Sequence, residues 1–248
     1  MTPADGSARG PGAPRLRRVG VLGGMGPEAT IHFMARVLAL TPAEDDADHV
    51  PLVVDQNTQV PSRIKALIEG TGSDPTPALE DMARRLAAAG AEALAMPCNT
   101  AHHYAGSIAA ATPLPFLDMV VLTAARLAGE ERGTVGVLAS PAIKITGVYD
   151  HAFARLGLEA VYPADQQRLL AAIRAIKAGR DGEFARRVVR EAGEEMAAAG
   201  ADAALIACTE FSTVADALPP GLPALDSIDV LAEAVVAFSR AGVAVRSA

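Results

Sequence analysis

The chain contains only two cysteines, Cys98 and Cys208, and they lie 110 residues apart. Each follows a short apolar run, and those runs follow similar segments, Ala-Gly-Ala-Glu-Ala at 89–93 and Ala-Gly-Ala-Asp-Ala at 199–203. A thiolate can remove a proton and a thiol can return one. Two thiols at equivalent points of two similar halves could face one bound molecule from opposite sides. This arrangement suits proton exchange at a stereocentre.

Two further pairs of segments repeat in the same order along the chain. Arg-Val-Gly-Val-Leu at 18–22 resembles Thr-Val-Gly-Val-Leu at 134–138, and Leu-Pro-Phe-Leu-Asp at 114–118 resembles Leu-Pro-Ala-Leu-Asp at 222–226. A repeat of this length indicates a duplicated domain, because solenoid repeats are far shorter. We predict that the final aspartates of the second pair, Asp118 and Asp226, cap the helices that follow them.

Strand-like apolar runs alternate with helical patterns, which predicts an α/β fold with parallel sheets. Strands are expected at 19–23, 52–55, 93–96, 116–117, 135–139, 158–162 and 203–207, and helices from 27 and at 78–89, 184–199 and 228–241. Gly90 and Gly200 suit the left-handed position just after a helix. Both cysteines then fall at the carboxyl ends of parallel strands, where open α/β sheets bind ligands.

The expected organisation is a disordered tail at 1–16, a first domain at 17–118 plus 226–248, and a second domain at 119–225. The net charge is −7, without a block of Lys or Arg or an apolar run of about 20 residues. Neither nucleic acid nor a membrane is therefore expected as a partner. Residues 1–15 lack the apolar centre of a signal peptide, which predicts a cytoplasmic protein with reduced thiols, although two cysteines could also form a disulfide.

A glycine-rich turn follows the first predicted strand. Gly24-x-Gly26-x-x-Ala29 formally fits the dinucleotide fingerprint, with Asp55 as the acid that ends the next strand. That acid comes 31 residues after Gly24, which is far for a ribose contact, and Pro27 removes an N–H group from the helix start. We favour a turn that approaches a small carboxylate ligand closely, and a nucleotide site or a purely structural turn stays open.

Cys98, Asn99 and Thr100 open a predicted helix directly after a strand. The helix dipole favours a thiolate at that point, and free N–H groups together with the Asn and Thr side chains could hold a carboxylate. For one cysteine alone, a buried structural thiol with a polar helix cap would be the better interpretation. Because 208–210, Cys-Thr-Glu, repeats the arrangement, we favour a functional pair.

Arg63 and two adjacent histidines are the other side chains that could do chemistry. The Arg63 guanidinium could bind a carboxylate through two parallel hydrogen bonds, and a solvated arginine at a helix start is the alternative.

His102 and His103 point in different directions if they lie on a helix. We expect structural roles for both, with one of them positioning the Cys98 helix. No third ligand stands at a recognisable spacing, so no metal site is predicted.

Together these motifs resemble the aspartate/glutamate racemase family, which works without pyridoxal phosphate. The matching segments are Gly-Gly-Met-Gly-Pro-Glu-Ala-Thr at 23–30, Gln59-x-Pro61-x-Arg63, Pro-Cys-Asn-Thr-Ala-His at 97–102 and Cys-Thr-Glu at 208–210. The resemblance covers roughly residues 17–240. It implies two Rossmann-like domains in a pseudo-twofold relation, an active site at their interface, an acidic amino acid as substrate, no cofactor and a homodimer.

The resemblance also implies a role for individual residues. Cys98 and Cys208 would be the two acid/base groups, and Arg63 would bind the side-chain carboxylate of the substrate. The other substrate-binding residues would be Asn99, Thr100 and Thr209 at the α-carboxylate, Lys177 as a second carboxylate clamp, and Gln59 and Met25 within the matching segments.

The sequence departs from the family pattern at two places. Ser62 and Ile64 stand where Asp and Thr are usual, and Ala142 and Ile143 stand where Gly and Thr are usual. These changes could alter substrate preference, but they leave both cysteines intact. The alternatives are a one-cysteine isomerase or decarboxylase of the same fold, similar to maleate isomerase or arylmalonate decarboxylase, a non-catalytic amino-acid-binding protein, and a nucleotide-dependent enzyme.

Overall fold

A computed structural model describes residues 15–180 and 182–241. The first half contains β1 (Val19–Gly23), α1 (Pro27–Leu40), β2 (Leu52–Gln56), α2 (Thr76–Ala88), β3 (Ala93–Ala95), α3 (Ala105–Ala110), β4 (Phe116–Leu117) and α4 (Met119–Gly129). The second half contains β5 (Thr134–Ala139), α5 (Pro141–Thr146), α6 (Val148–Ala154), β6 (Glu159–Val161), α7 (Gln166–Lys177), α8 (Gly182–Ala198), β7 (Ala203–Ala207), α9 (Thr209–Ser212), β8 (Ala224–Asp226) and α10 (Ser227–Arg240).

The strands form two parallel four-stranded sheets with the same strand order. The first sheet runs β2-β1-β3-β4, and the second runs β6-β5-β7-β8. Val21 pairs with Ala95 in the first sheet, and Val137 pairs with Leu205 in the second. The predicted α/β fold of two parallel sheets is therefore confirmed, and the duplication suggested by the repeated segments is visible in the matched topology.

Helices cover both faces of each sheet, which explains why the central strands are apolar throughout. The five residues of β1 and the five of β7 are all buried. One side of the first sheet packs on α2, and the other side packs on α1 and α10. Strands that are buried on both faces lose the alternation of polar and apolar residues seen in half-exposed strands.

The helix ends repeat between the halves in the same way as the strands. Gly90 has a φ of +85° and Gly200 a φ of +92°. The N–H group of Gly90 donates to the carbonyl of Ala87, and that of Gly200 donates to the carbonyl of Ala197, each at 3.0 Å. Both glycines thus end a helix in the left-handed conformation, as predicted, and direct the chain into the strand that carries a cysteine at its end.

The last helix returns to the first half of the chain. Ile228 and Val235 of α10 belong to the same buried cluster as Phe33 and Val37 of α1. The chain after residue 226 therefore packs against the first half. The domain boundaries themselves stay a prediction, and the predicted disordered tail lies, except for residues 15 and 16, outside the described part of the chain.

Several elements differ from the predicted ones. The chain from 141 to 154 forms α5 and α6, and α7 precedes α8, although no helix was predicted at these places. The predicted strand at 158–162 shortens to β6, and β8 was not predicted at all. Within residues 15–180 and 182–241, no helix has both the length and the apolar character needed to cross a membrane.

Candidate active site

A cavity of about 270 Å³ lies between the two halves, at the carboxyl ends of the strands. The residues that follow β1, β3, β5 and β7 line it, together with one face of α7. Cys98 contributes from the first half and Cys208 from the second, so the two thiols that the sequence places 110 residues apart border one space.

The cavity brings together most of the residues predicted to bind substrate. Its lining includes Cys98, Cys208, Arg63, Asn99, Thr100, Thr209, Lys177 and Met25. Gln59, also predicted to bind substrate, is not part of this lining. It lies on an exposed turn after β2, where its backbone N–H donates to the side chain of Asn57 and its amide donates to Thr58. This local turn chemistry directs Gln59 toward solvent.

The loop after β3 holds Cys98 at the cavity with little exposure to solvent. Its side chain is buried, and its carbonyl oxygen accepts a hydrogen bond from Nδ1 of His102 at 2.9 Å. The Nε2 atom of the same ring accepts from the backbone N–H of Met119 at 3.1 Å, so the neutral tautomer with the proton on Nδ1 fits both bonds. Burial lowers the pKa of His102, although Asp118 nearby opposes this shift. His102 therefore positions the Cys98 loop.

Asn99, predicted to bind the substrate carboxylate, borders the cavity, and its side chain is also bonded to other protein groups. The hydroxyl of Tyr149 donates to Oδ1 of Asn99 at 2.6 Å, and Nδ2 of Asn99 donates to Oγ of Ser227 at 3.0 Å. All three side chains are buried. The amide of Asn99 is thus engaged at both ends inside the protein. Sequence alone could not reveal this, because the two partners lie 50 and 128 residues away.

Thr100 forms a second link between the halves. Its hydroxyl lies 3.2 Å from the hydroxyl of Ser140, which follows β5. Both residues border the cavity. Hydroxyl groups can rotate to donate or accept, so this pair could also turn toward a bound ligand.

The loop after β7 differs in charge from its counterpart. The thiol of Cys208 donates to Oε2 of Glu210 at 2.9 Å, and Oε1 of Glu210 forms an ion pair with the ammonium group of Lys177. The Cys-Thr-Glu motif at 208–210 assigns no role to Glu210, and the place of Glu210 two residues after the cysteine is the local signal for its contact with the thiol. It is the one carboxylate among the described residues that border the cavity.

The Glu210 carboxylate shapes the protonation of its neighbours. Burial and the Glu210 carboxylate raise the pKa of the Cys208 thiol well above its usual range, although Lys177 opposes the shift. Burial alone would raise the pKa of Glu210, but Lys177 and the bond from Cys208 lower it overall. Burial alone would lower the pKa of Lys177, but Glu210 raises it. Cys208 is therefore held as a thiol beside an ionised pair.

Arg63 is fixed by the turn that carries it. Nη1 donates to the carbonyls of Val60 at 3.1 Å and Pro61 at 2.8 Å, and Nη2 donates to the carbonyl of Met25 at 3.4 Å. These bonds hold the guanidinium at the wall of the cavity without neutralising its charge. A fixed cation of this kind needs little further ordering when it binds an anion.

The glycine-rich turn packs against protein backbone. Gly24 has a φ of +87°, and a side chain there would overlap the backbone of Asn57. The acid of the nucleotide alternative, Asp55, forms an ion pair with Arg85 at 2.7 Å and does not line the cavity. These contacts favour a turn shaped by close packing, and they give the dinucleotide interpretation no support.

No group of three or more His, Cys, Asp and Glu side chains that could hold a metal ion occurs within residues 15–180 and 182–241. Both cysteines are free thiols in the structure. The structure therefore gives the disulfide alternative no support.

Two matched α/β halves, each with one thiol at a shared cavity, define a class of two-lobed proteins with a cavity between the lobes. Comparison with known proteins gives the family. The model of the Asp/Glu/hydantoin racemase family matches residues 22–235, and the chain belongs to that family.

Individual relatives agree with this assignment. The chain is 27% identical over 232 residues to the broad specificity amino-acid racemase RacX of Bacillus subtilis, across 88% of this chain and 96% of that protein. It is 30% identical to the aspartate racemase of Picrophilus torridus, with a TM-score of 0.75 over 89% of this chain and 93% of that one. The glutamate racemase isoform RacE1 of Bacillus anthracis shares the fold at 16% identity, with a TM-score of 0.64 over 89% and 80% of the two chains.

Proposed function

We propose that this member of the amino-acid racemase family interconverts the enantiomers of aspartate, glutamate or both by proton transfer between two thiols. The observation that carries the proposal is the cavity bordered by Cys98 from the first half and by Cys208 from the second. In this mechanism the thiolate of one cysteine removes the α-proton, and the thiol of the other donates a proton to the opposite face. The roles exchange for the opposite enantiomer.

The two loops support a defined starting state for this reaction. Cys208 donates its hydrogen to Glu210 and is therefore the proton donor of the free enzyme. Cys98 would then act as the first base. For the reverse direction, the proton on Cys208 has to leave and Cys98 has to be protonated. Two neighbouring thiols titrate as a pair, so rate–pH profiles would report values that belong to both.

The charges at the cavity support an acidic substrate. Arg63 and Lys177 contribute two positive charges, and Glu210 contributes one negative charge. Lys177 is paired with Glu210, whereas the bonds that fix Arg63 go to backbone carbonyls, so the charge of Arg63 is available to a carboxylate of the substrate. Arg63 is the proposed partner of the distal carboxylate. Thr100 and Thr209 remain the proposed contacts of the α-carboxylate, with Met25 at the cavity wall.

The reaction is proposed to need no cofactor. An α-proton is a very weak acid, so the site must stabilise the developing negative charge through hydrogen bonds and dipoles. Activity is expected to survive dialysis against a chelator and treatment with hydroxylamine, which traps pyridoxal phosphate. Activity that returned only after metal or pyridoxal phosphate was added would contradict this part of the proposal.

The test is incubation of the purified protein with each L-amino acid, without cofactor, followed by chiral chromatography. D-Aspartate or D-glutamate is expected to appear in the wild type and not in the Cys98→Ser, Cys208→Ser double variant. The broad specificity of the Bacillus subtilis relative makes the full panel necessary. Turnover of neutral amino acids alone would contradict the acidic substrate, and binding without turnover would favour an amino-acid-binding protein.

A one-cysteine isomerase or decarboxylase is the second candidate, and the unequal surroundings of the two thiols favour it. Only Cys208 donates to a carboxylate and is thereby held in the protonated form. If that state were permanent, Cys208 could donate a proton but never remove one. Loss of activity in the Cys98→Ser variant together with near-normal activity in the Cys208→Ser variant would favour this candidate.

The homodimer and the cytoplasmic location implied above are also proposed. Two free thiols at one cavity are suited to a reducing compartment, where they would not be oxidised to a disulfide. Sedimentation velocity is expected to give twice the monomer mass of 25.4 kDa. A single species at the monomer mass, with full activity, would contradict the homodimer.

A further inference from the structure

A buried chain of hydrogen bonds joins the two cysteine loops across the boundary between the halves. It begins at Tyr149 of α6, passes through Asn99 directly after Cys98, and continues to Ser227 at the start of α10. The hydroxyl of Ser227 then donates at 3.0 Å to the carbonyl of Ile206, two residues before Cys208. Each loop is thus tied to the other by side chains that do not belong to the cavity's catalytic groups.

The direction of every bond in this chain is determined by its last acceptor. The carbonyl of Ile206 can only accept, so the hydroxyl hydrogen of Ser227 points to it. The Ser227 oxygen must then accept from Nδ2 of Asn99, which leaves Oδ1 of the amide toward Tyr149. The hydroxyl of Tyr149 therefore donates. One orientation of the amide satisfies all three bonds, whereas the opposite orientation would place Oδ1 against the Ser227 oxygen, whose hydrogen is already donated to Ile206, and would lose that bond.

The chain is well shielded from solvent. Tyr149 and Ser227 are 0% exposed, and Asn99 is 4% exposed. In such surroundings a lost hydrogen bond is not replaced by water without rearrangement, so each partner resists movement of the others. The Asn99 backbone follows Cys98, and the Ile206 backbone lies in β7. A shift of either loop would therefore break a bond in this chain.

We infer that the Asn99 side chain, held by Tyr149 and Ser227, is a positioning group that fixes the separation of the two thiols. The inference rests on the proposed two-thiol reaction for its catalytic consequence. The separation of the Cys98 and Cys208 thiols can be probed without any turnover.

The experiment uses Tyr149→Phe, which removes the one hydroxyl at the start of the chain. The matched control is Tyr162→Phe in the same half, because the Tyr162 hydroxyl also donates to a side chain, Asp150, at 2.7 Å but has no link to either cysteine loop. Thermal melts and circular dichroism establish that both variants are folded.

The first measurement is the rate at which dibromobimane, a reagent that fluoresces after it reacts with two thiols, joins Cys98 to Cys208. The chain has no other cysteine, so the signal reports this pair alone. Wild type and Tyr162→Phe are expected to react at the same rate, and Tyr149→Phe several-fold more slowly. An unchanged rate in Tyr149→Phe would overturn the inference, whether or not the protein is a racemase.

The second measurement separates kcat from KM in both directions of racemisation. Tyr149→Phe is expected to lower kcat by about tenfold to a hundredfold, because misplaced acid/base groups lose most of their effectiveness, while KM changes little. A rise in KM with unchanged kcat would instead make the Asn99 side chain a substrate ligand and overturn the inference. Absence of racemisation in the wild type would contradict the proposed function only, and the dibromobimane rates would still decide the positioning role.

If Tyr149→Phe does not fold, Ser227→Ala takes its place, because it removes the link between Asn99 and Ile206. The expected and overturning outcomes are the same for this variant.

Discussion

The loop that begins at Cys98 and the loop that begins at Cys208 follow equivalent strands, β3 and β7, in two sheets of identical strand order. The first is held by neutral groups, since His102 donates to the Cys98 carbonyl. The second carries a carboxylate, Glu210, at the position where the first carries Thr100. The two halves therefore share the strand order and the position of the thiol, while the charges around the thiol differ.

This difference has a chemical meaning. Two identical surroundings would give both thiols the same tendency to ionise, and proton transfer between them would have no preferred starting state. With Glu210 and Lys177 on one side only, Cys208 would be the defined proton donor of the proposed reaction. A two-thiol racemase still needs each cysteine to gain and to lose a proton during turnover. We therefore expect the Glu210–Lys177 pair to favour the protonated form of Cys208 while still allowing Cys208 to lose its proton.

The largest expected effect comes from removal of either thiol. Cys98→Ser and Cys208→Ser are each expected to lower racemisation by more than about a thousandfold, because a hydroxyl cannot supply the base at neutral pH. Each variant retains one thiol and could still exchange the α-proton of one enantiomer with solvent. The measurement is α-proton exchange in heavy water for both enantiomers, which should show opposite preferences in the two variants. Near-normal racemisation in either variant would rule out the two-thiol mechanism.

The next effect tests the cation of the first half. Arg63→Lys is expected to raise KM for an acidic amino acid by about tenfold to a hundredfold, because a point charge cannot replace the paired bonds of a guanidinium. Steady-state kinetics measure KM, and Arg85→Lys serves as the control because Arg85 pairs with Asp55 away from the cavity. Equal KM values for Arg63→Lys and the wild type would remove Arg63 from the substrate site.

A smaller effect concerns the carboxylate of the second half. In the Cys98→Ser background, Glu210→Gln is expected to speed alkylation of Cys208 at pH 7 by about tenfold, because the like charge that raises the pKa of Cys208 is lost. In the wild type, the raised pKa of Cys208 moves thiolate formation to higher pH. Glu210→Gln removes one cause of that shift, so its curve of alkylation rate against pH should lie at lower pH than the wild-type curve. The control is Glu191→Gln, whose side chain pairs with Arg168 elsewhere in the second half. Unchanged or slower alkylation would mean that Glu210 does not hold Cys208 protonated.

Much of this comparison was available from the sequence. Apolar runs that end in a cysteine predicted β3, β7 and the cavity edge, because buried parallel strands have a simple hydrophobic signature. The glycines at 90 and 200 and the caps at Asp118 and Asp226 were also predicted, because these motifs depend on neighbouring residues. Asp118 accepts from the N–H groups of Val120 and Val121, and Asp226 accepts from that of Ile228.

The parts that were missed depend on distant contacts. The bonds of Asn99 to Tyr149 and Ser227 and the pairing of Lys177 with Glu210 join residues from different elements, and no local pattern encodes them. The short helices α5 and α6 meet at Gly147, which interrupts any helical periodicity. Gln59 was expected at the site from its motif alone, but its turn directs it outward.

The smallest expected effect distinguishes the two helix caps, Asp118 and Asp226, which stand in the repeated Leu-Pro-x-Leu-Asp segments. Burial raises the pKa of Asp226. A carboxyl group with a raised pKa in the folded state favours folding only while it is protonated, so its contribution is present below about pH 4 and declines as pH rises through the folded-state value. Asp226→Asn is therefore expected to gain stability relative to the wild type as pH rises from 4 to 7.

Asp118→Ala, in contrast, loses a cap that accepts two backbone N–H bonds and should cost about 1 kcal/mol of unfolding free energy at pH 7. Urea unfolding at both pH values measures these differences, with Asp118→Asn as the control that keeps a capping oxygen. If Asp226→Asn and Asp118→Asn changed stability equally at both pH values, the two caps would be equivalent, and the divergence between the halves would be confined to the charges beside the thiols.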